Sequence, residues 1–473
     1  MTSRDLPLNG DADIFSASFL LHHVAGLSRS ELEALQLMKV RAQLERLYAK
    51  SPYYRARMTE AGLTPEAVKS LDMFRSRFPM SSKADFLADQ LEHPPFGNRL
   101  GIARDQVALV NMTGGTSGQG QEIYGRSQRD VHMLGYLHAL PWFMAGLRRG
   151  DVAVNCVPAG GMTTGGWGPG EALRIIGATG FHVGGSMSTD AKIDLMLRLG
   201  GVHFVYASTN YLHTLTQAML KRDIVPRQAF PNMHGLFIAA EGYPLEWAAA
   251  IENNWGCRLQ EGYGSTQCCG FGASSGASGV FGKDGARGLM RLFEWETLFE
   301  VVNPETLEPV ASGEIGEMVI TNLSIDGSPV MRFRTGDAAR FIGWTDTGSD
   351  SAYNAIECGT IGRFDDMLKI RGNNVWPNAV DAAVFAHAEI GDYAGRVFTQ
   401  DGKTEVEVRL AFAEHAANMT QGDCARVLAS VRDRIKQRTN VWMTVLEVPH
   451  DMLPQFSYKA RRWKDERQQG YQL

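Results

Sequence analysis

From Val107 onward the sequence alternates short β-branched runs with segments of helical spacing, and few folds accept that order. The runs Val107–Val110, Val152–Val157, Phe204–Tyr206 and Leu236–Ala239 are separated by helical segments that include Asp130–Leu147, Asp190–Leu199 and Tyr211–Lys221. Short strands joined by helices of that length pair in parallel through βαβ crossovers, so a layered α/β body is expected. Ahead of it, Ser30-Glu-Leu-Glu33 reads as a capping box opening a helix with Leu32, Leu35, Leu44 and Leu47, which Ser51-Pro52 ends. Between about 280 and 345 the text becomes strand-rich, and turn signals divide Leu298–Val302, Glu317–Thr321 and Met331–Arg334, so antiparallel pairing is expected. The stretch Thr345–Asn354 is polar and loop-like. Gly362–Leu473 reads as a compact tail of strand, helix from Asn378, strand Val406–Ala413, helix from about Cys424 and strand Val441–Val448. The fold class is therefore α/β: a large layered N-terminal domain with an antiparallel β portion, 1–361, and a small α+β C-terminal domain, 362–473.

Composition narrows the function. The 473 residues are 44% hydrophobic and 21% charged, with a net charge of −5, which excludes a disordered chain and gives no field for nucleic acid. No apolar run reaches the ~18–20 residues of a membrane span, and the acidic, turn-rich start is unlike a signal peptide. Six scattered cysteines form no Cys-x-x-Cys pair, which points to a reducing compartment and a soluble, cytoplasmic chain.

Five segments carry chemistry. In Thr113-Gly-Gly-Thr-Ser-Gly118, small hydroxyl residues and glycines let backbone N–H groups and Oγ atoms converge on phosphate oxygens. No lysine closes the loop and an extended run follows, so it is not a P-loop, and a plain Gly-rich hairpin turn explains it as well. Glu261-Gly-Tyr-Gly-Ser-Thr266, with Gln267, offers an aromatic face between glycines and hydroxyls suited to phosphate; a strand-end turn with a buried tyrosine is the bland reading. Arg334-Thr-Gly-Asp337 places a carboxylate just past an expected strand, where it suits ribose hydroxyls or simply an ordinary turn. The others are Gly362-Arg-Phe-Asp-Asp-Met-Leu-Lys-Ile-Arg-Gly372, at the expected domain boundary, and Gln455-Phe-Ser-Tyr-Lys-Ala-Arg-Arg462.

Together, in this order, the five segments and the step Ala240-Glu241-Gly242 resemble the adenylate-forming superfamily, and within it the phenylacetate–CoA ligase group. The N-terminal helix, Ser51-Pro-Tyr-Tyr-Arg55 and Phe78-Pro-Met-Ser-Ser-Lys83 extend the resemblance over nearly the whole chain. It implies ATP, Mg²⁺ and coenzyme A as cofactors and a small-molecule carboxylic acid as substrate, which is activated as acyl-AMP before thioester formation. It assigns Thr113, Gly114, Gly115, Thr116, Ser117 and Gly118 to the β- and γ-phosphates. Tyr263 would stack on adenine and Thr266 would reach the α-phosphate, with Glu241, Gly242, Glu261, Gly264 and Ser265 around the nucleotide. Asp337 and Arg363 would hold the ribose. Lys459 would bridge the carboxylate and the α-phosphate as a point charge. Asp365 would be the hinge of a mobile C-terminal domain, whose rotation brings Lys369, Arg371 and Gly372 to CoA. Tyr136 and Phe143, with Trp142, fall where related proteins shape the acyl pocket, although helix core packing is the more ordinary reading of all three. A homodimer is a family expectation.

Three departures stand out. Gln267 replaces a metal-ligating glutamate, which leaves a neutral amide oxygen for Mg²⁺. Gln119 replaces a lysine beside the phosphate loop, and Tyr458 a glycine before Lys459. Other readings are an adenylating enzyme with an acceptor other than CoA, and a nucleotide-binding homologue that has lost turnover. Gly270-Phe-Gly-Ala-Ser-Ser-Gly276 imitates a dinucleotide fingerprint, and Cys257, Cys268 and Cys269 evoke zinc without a fourth ligand.

Overall fold

The computed structural model describes residues 26–113, 120–239, 242–348, 351–371, 373–387, 389–400, 403–413, 416, 418–454 and 462–467. The chain divides into two compact units, one of Met1–Ala240 with Glu252–Ile361, the other of Glu241–Ile251 with Gly362–Leu473.

The larger unit starts with helices α1 (Arg29–Lys50), α2 (Pro52–Glu60), α3 (Leu71–Arg77) and α4 (Lys83–Glu92). The capping box that opens α1 is Ser28/Glu31, two residues earlier than Ser30/Glu33: Ser28 Oγ accepts the Glu31 N–H, and the Ser28 N–H donates to Glu31 Oε2 at 2.8 Å. Glu33 has the same spacing from Ser30, but it turns to Arg29 one turn back, at 2.8 Å. Ser51 then ends α1 and caps α2, ahead of a proline in its first turn. Val40, Leu44 and Leu47 of α1 pack with Tyr54 and Phe74 against Leu298, Leu323 and Met331. Each such buried side chain contributes about 2 kcal/mol.

One long sheet follows. Its strands are β3 (Val152–Pro158), β4 (Thr179–Gly184), β5 (Phe204–Ser208), β6 (Gly235–Ala239), β7 (Leu259–Ser265), β8 (Gly270–Ser274), β9 (Leu289–Leu292), β10 (Thr297–Val302), β11 (Ile315–Asn322), β12 (Phe333–Ile342) and β13 (Ala355–Glu357). Their order is β10-β11-β12-β13-β9-β8-β7-β6-β5-β3-β4. Strands β4, β3, β5, β6 and β7 run parallel. From β7 through β10 the pairing is antiparallel, as the strand-rich text implies. Helices α5 (Gln128–Met144), α6 (Thr164–Ile176), α7 (Thr189–Arg198) and α8 (Thr209–Lys221) supply the intervening turns of helix, and α9 (Leu245–Trp255), between β6 and β7 in the chain, spans the division between the units. Leu134, Leu137, Leu140 and Trp142 of α5 meet Leu173 and Ile176 of α6 and Phe204 and Phe237 of the sheet. Gly270–Ser274 is a strand antiparallel to β7, not a turn into a helix, so the dinucleotide imitation lacks its strand–turn–helix context.

Strands β1 (Leu109–Met112) and β2 (Ile123–Arg126) form a separate antiparallel hairpin with Met112 opposite Ile123. The buried carboxylate of Asp130, in the first turn of α5, accepts the N–H groups of Asp326 and Gly327, both at 2.7 Å, and of Ser127 at 2.9 Å.

The smaller unit holds a short hairpin, β14 (Leu368–Ile370) with β15 (Asn373–Val375), then α10 (Pro377–Val384), β16 (Ile390–Gln400), β17 (Lys403–Phe412), α11 (Gln421–Thr439), β18 (Thr444–Glu447) and β19 (Trp463–Asp465). Its sheet has the order β18-β17-β16-β19. A Thr420/Asp423 capping box starts α11, and Asn440 at φ 58° ends it. That cap explains why the last expected strand starts at Thr444 and not at Val441. Ile370, Val375, Tyr393, Val397, Leu410, Val431 and Ile435 share one core.

Candidate functional site

The Gly-rich segment crosses from β1 to β2, and Thr113 fastens its base. The Thr113 N–H donates to Glu122 O at 3.1 Å, and the Glu122 N–H donates back to Thr113 Oγ1 at 3.0 Å. Gln121 Nε2 adds a third bond, to Thr113 O at 3.0 Å. Thr113 therefore closes a hairpin at the foot of the loop; Gly114, Gly115, Thr116, Ser117, Gly118 and Gln119 lie outside the described residues.

At the start of β2, residues two apart share one face: Glu122, just before the strand, with Tyr124 and Arg126 in it. They are 2%, 0% and 0% exposed. The Tyr124 hydroxyl donates to Glu122 Oε1 at 2.7 Å, and the Arg126 guanidinium lies over the Tyr124 ring at 5.2 Å. Both charged ends hold the turn that follows β7. Gln267 Nε2 donates to both carboxylate oxygens of Glu122 at 3.2 Å, while Arg126 Nη2 donates to Thr266 O. Asn322 Nδ2 reaches Gln267 O at 3.1 Å, and Ser265 Oγ accepts the Cys268 N–H at 3.1 Å. Thr266 and Gln267 are thus placed by contacts from β2, from Glu122 just before it and from β11. Glu122 was not singled out from the sequence; its only signal there is its alternation with Tyr124 and Arg126 immediately after the glycines.

Strand β7 delivers Tyr263. Its hydroxyl donates to Asp337 Oδ2 at 2.9 Å; burial, then the Asp337 carboxylate, holds that hydroxyl protonated well above its usual range. Gly264 beside it is required by space, because a Cβ there would sit 2.6 Å from Gly270 O. Asp337 does not follow a strand, as the sequence suggests, but lies inside β12. The register with β11 slips between Glu317 and Val319, and Gly336 takes φ 71°. This bulge turns Thr335 Oγ1 onto Met318 O at 2.7 Å, and Thr335 Oγ1 also accepts the Asp337 N–H at 3.0 Å. Arg334 pairs with Glu317 at 2.6 Å.

Glu261 is buried and its carboxylate accepts the Gly359 N–H at 2.8 Å, tying β7 to the loop after β13. Gly242 follows β6, while Glu241 lies outside the described residues. The three aromatics of α5 have different neighbours. Tyr136 packs on the cluster holding Trp295 and Tyr353, and Trp142 stands 5.7 Å from Phe204 and 5.1 Å from Tyr206. Phe143 lies under the Arg148 guanidinium, 4.1 Å away.

In the smaller unit Arg363 precedes a 3₁₀ turn, Phe364–Asp366, that includes Asp365. Lys369 faces Asn374 across β14–β15 and its carbonyl accepts Arg467 Nη1 at 2.7 Å. Arg371, at φ 49°, donates to Thr404 O and pairs with Glu405 at 2.9 Å. Gly372 and Lys459 lie outside the described residues.

Among the described residues no group of three or more His, Cys, Asp or Glu side chains gathers to hold a metal. The oxygens of Thr266 and Gln267 suit a hard cation held largely by phosphate and water. Bound there, Mg²⁺ would neutralise phosphate charge.

A family described as "AMP-binding enzyme C-terminal domain" matches residues 372–467. A phenylacetate–coenzyme A ligase of Thermus thermophilus is 28% identical over 82% of this chain and 83% of its own length. The Escherichia coli K12 protein of the same name is 25% identical over 92% and 95%. Among solved structures, a 2-hydroxyisobutyryl-CoA ligase in the postadenylation state superimposes with a TM-score of 0.83 at 21% identity, covering 94% of this chain and 92% of that one. The chain therefore carries an AMP-binding enzyme C-terminal domain at residues 372–467 and, over most of its length, is similar to phenylacetate–CoA ligases.

Proposed function

We propose that the chain condenses an aromatic carboxylic acid, aryl or arylacetic, with ATP and then with coenzyme A. Being an AMP-forming ligase, it runs two displacements. A carboxylate oxygen attacks the α-phosphorus and pyrophosphate leaves; the CoA thiol then loses its proton, attacks the acyl carbon and AMP leaves. The first step brings two anions together, so fixed donors and positive charge must offset their repulsion.

The observation that carries this reading is the Tyr263–Asp337 bond, which joins an aromatic face fit for a purine to a carboxylate fit for a ribose at 2.9 Å. Glycine at 264 lets strand β8 pack closely against the backbone beside that face. The Thr113 hairpin and the Thr266–Gln267 turn, locked together through β2, would grip the phosphates between them. Lys459 would supply the charge for the first displacement, and Asp365 the hinge that exchanges it for the Lys369–Gly372 strand, with 1–361 and 362–473 acting as separate domains. Glu261 and Gly242 would frame the nucleotide, and α5 would border the acid.

ATP–pyrophosphate exchange over a panel of aryl, arylacetic and short aliphatic acids tests the proposal. Exchange that is strongest with an aromatic acid, followed by thioester on adding CoA, supports it. Strongest exchange with an aliphatic acid overturns the aromatic assignment. Exchange without thioester assigns another acceptor, and nucleotide binding without exchange assigns a protein that no longer turns over.

A further inference from the structure

Where its relatives are expected to carry a metal-binding carboxylate, this chain has Gln267, and a carboxylate lies one hydrogen bond behind it. We propose that Glu122 is a positioning residue that acts through Gln267, the two forming a carboxylate–amide couple that presents the Gln267 amide oxygen to the metal–phosphate group of the nucleotide. The inference rests on the reading above that this turn faces the phosphates.

Three observations carry it. Gln267 Nε2 meets both Glu122 oxygens at 3.2 Å, so the amide orientation is fixed: an amide oxygen facing a carboxylate would be repelled. The planar amide then directs Oε1 away from Glu122. A carboxylate on the N–H side also pushes electron density onto that oxygen, as an outer carboxylate raises the basicity of a metal-bound histidine. Second, Glu122 is 2% exposed and its Oε1 also accepts the Tyr124 hydroxyl, so its carboxylate is taken up inside the protein and does not compete for the ligand itself. Third, Arg126 on the same strand face holds Thr266 O, and Asn322 holds Gln267 O, so the backbone that carries the Gln267 side chain is anchored at both positions. The negative charge the position lacks is supplied by a carboxylate 145 residues earlier in the chain.

The test is calorimetric binding of the non-hydrolysable analogue α,β-methylene-ATP at several Mg²⁺ concentrations, without acid or CoA, with melting temperatures recorded alongside. Glu122→Gln is expected to weaken Mg²⁺-supported binding about 10-fold, the scale of an outer-sphere loss, while binding without Mg²⁺ stays within about 2-fold. Gln267→Glu alone puts two carboxylates face to face and is expected to lower the melting temperature. The double exchange, Glu122→Gln with Gln267→Glu, restores both the melting temperature and the Mg²⁺ response, because donor and acceptor have only changed places. In turnover the single Glu122→Gln change should raise KM for MgATP more than it lowers kcat. A wild-type Mg²⁺ response in Glu122→Gln, or a double variant no better than either single one, overturns the proposal. Absence of analogue binding to the unaltered protein would instead remove the nucleotide-site reading on which it stands.

Discussion

The hydroxyl of Tyr263 donates to Oδ2 of Asp337 at 2.9 Å, although strands β13, β9 and β8 lie between them in the order of the sheet. The bond fixes both the ring plane and the carboxylate. Tyr263→Phe keeps the aromatic face and deletes the donor. A hydrogen bond to a charged acceptor is worth about 1.5–3 kcal/mol. Discounting for a half-buried carboxylate, KM for ATP should rise roughly 5–10-fold while KM for the acid stays within about 2-fold. Initial-rate kinetics with each substrate varied checks this, and equal changes in both constants would contradict it.

Gly336 at φ 71° makes the β12 bulge possible. A side chain in the left-handed region costs about 1–2 kcal/mol. Gly336→Ala should therefore lower the melting temperature by roughly 2–5 °C and weaken ATP binding by re-aiming Asp337. Gly165→Ala, in α6 where a Cβ meets nothing within 4 Å, is the matched control and should leave both unchanged.

His138 is buried within α5, where its Nδ1–H donates to Leu134 O at 2.8 Å, and burial lowers its pKa from 6.5 to about 4. The unfolded chain takes up this proton at higher pH than the folded one. Stability is thus complete above about pH 6.5 and falls as pH drops toward 4, by up to ~1.4 kcal/mol per pH unit. Chemical denaturation at pH 7 and pH 5 should show a smaller difference in His138→Gln than in the unaltered protein; an identical difference would exclude His138 as the source.

Asp130 accepts three backbone N–H groups from a fully buried position. Asp130→Ala leaves those donors without the carboxylate and should cost about 3 kcal/mol of folding free energy. Urea unfolding monitored by tryptophan fluorescence measures the loss.

Lys459→Ala should abolish pyrophosphate exchange while largely sparing thioester formation from supplied acyl-adenylate. Equal loss of both steps would show that the lysine does not serve the first displacement alone.

Apart from the Val107–Val110 run, which falls in the antiparallel β1–β2 hairpin and not in the parallel set, the parallel strands, the antiparallel run and the order of the motifs are legible in the sequence because each is written in residues close together in the chain. Alternation, caps and turn residues act locally, and even the misplaced cap of α1 is a two-residue error between equivalent spacings. What escaped are relationships between distant residues. The β12 bulge is set by where β11 pairs, with Glu317 opposite Ala338 and Val319 opposite Arg334, and nothing in Arg334–Asp337 announces it. Glu122 reads as one polar residue in an extended run until the turn after β7 is folded against it. Arg371, assigned by resemblance to CoA, is engaged by Thr404 and Glu405, a contact legible only once β14 and β17 lie in one unit.

Strand β2 is four residues long, and two successive positions of the turn after β7 depend on its vicinity, one on Arg126 and one on Glu122. Under the function proposed above, such a rivet would make the grip on the phosphates heritable as a single piece. Descendants of this scaffold would then diversify the acid they select by altering the far half of α5, without renegotiating how they handle energy currency.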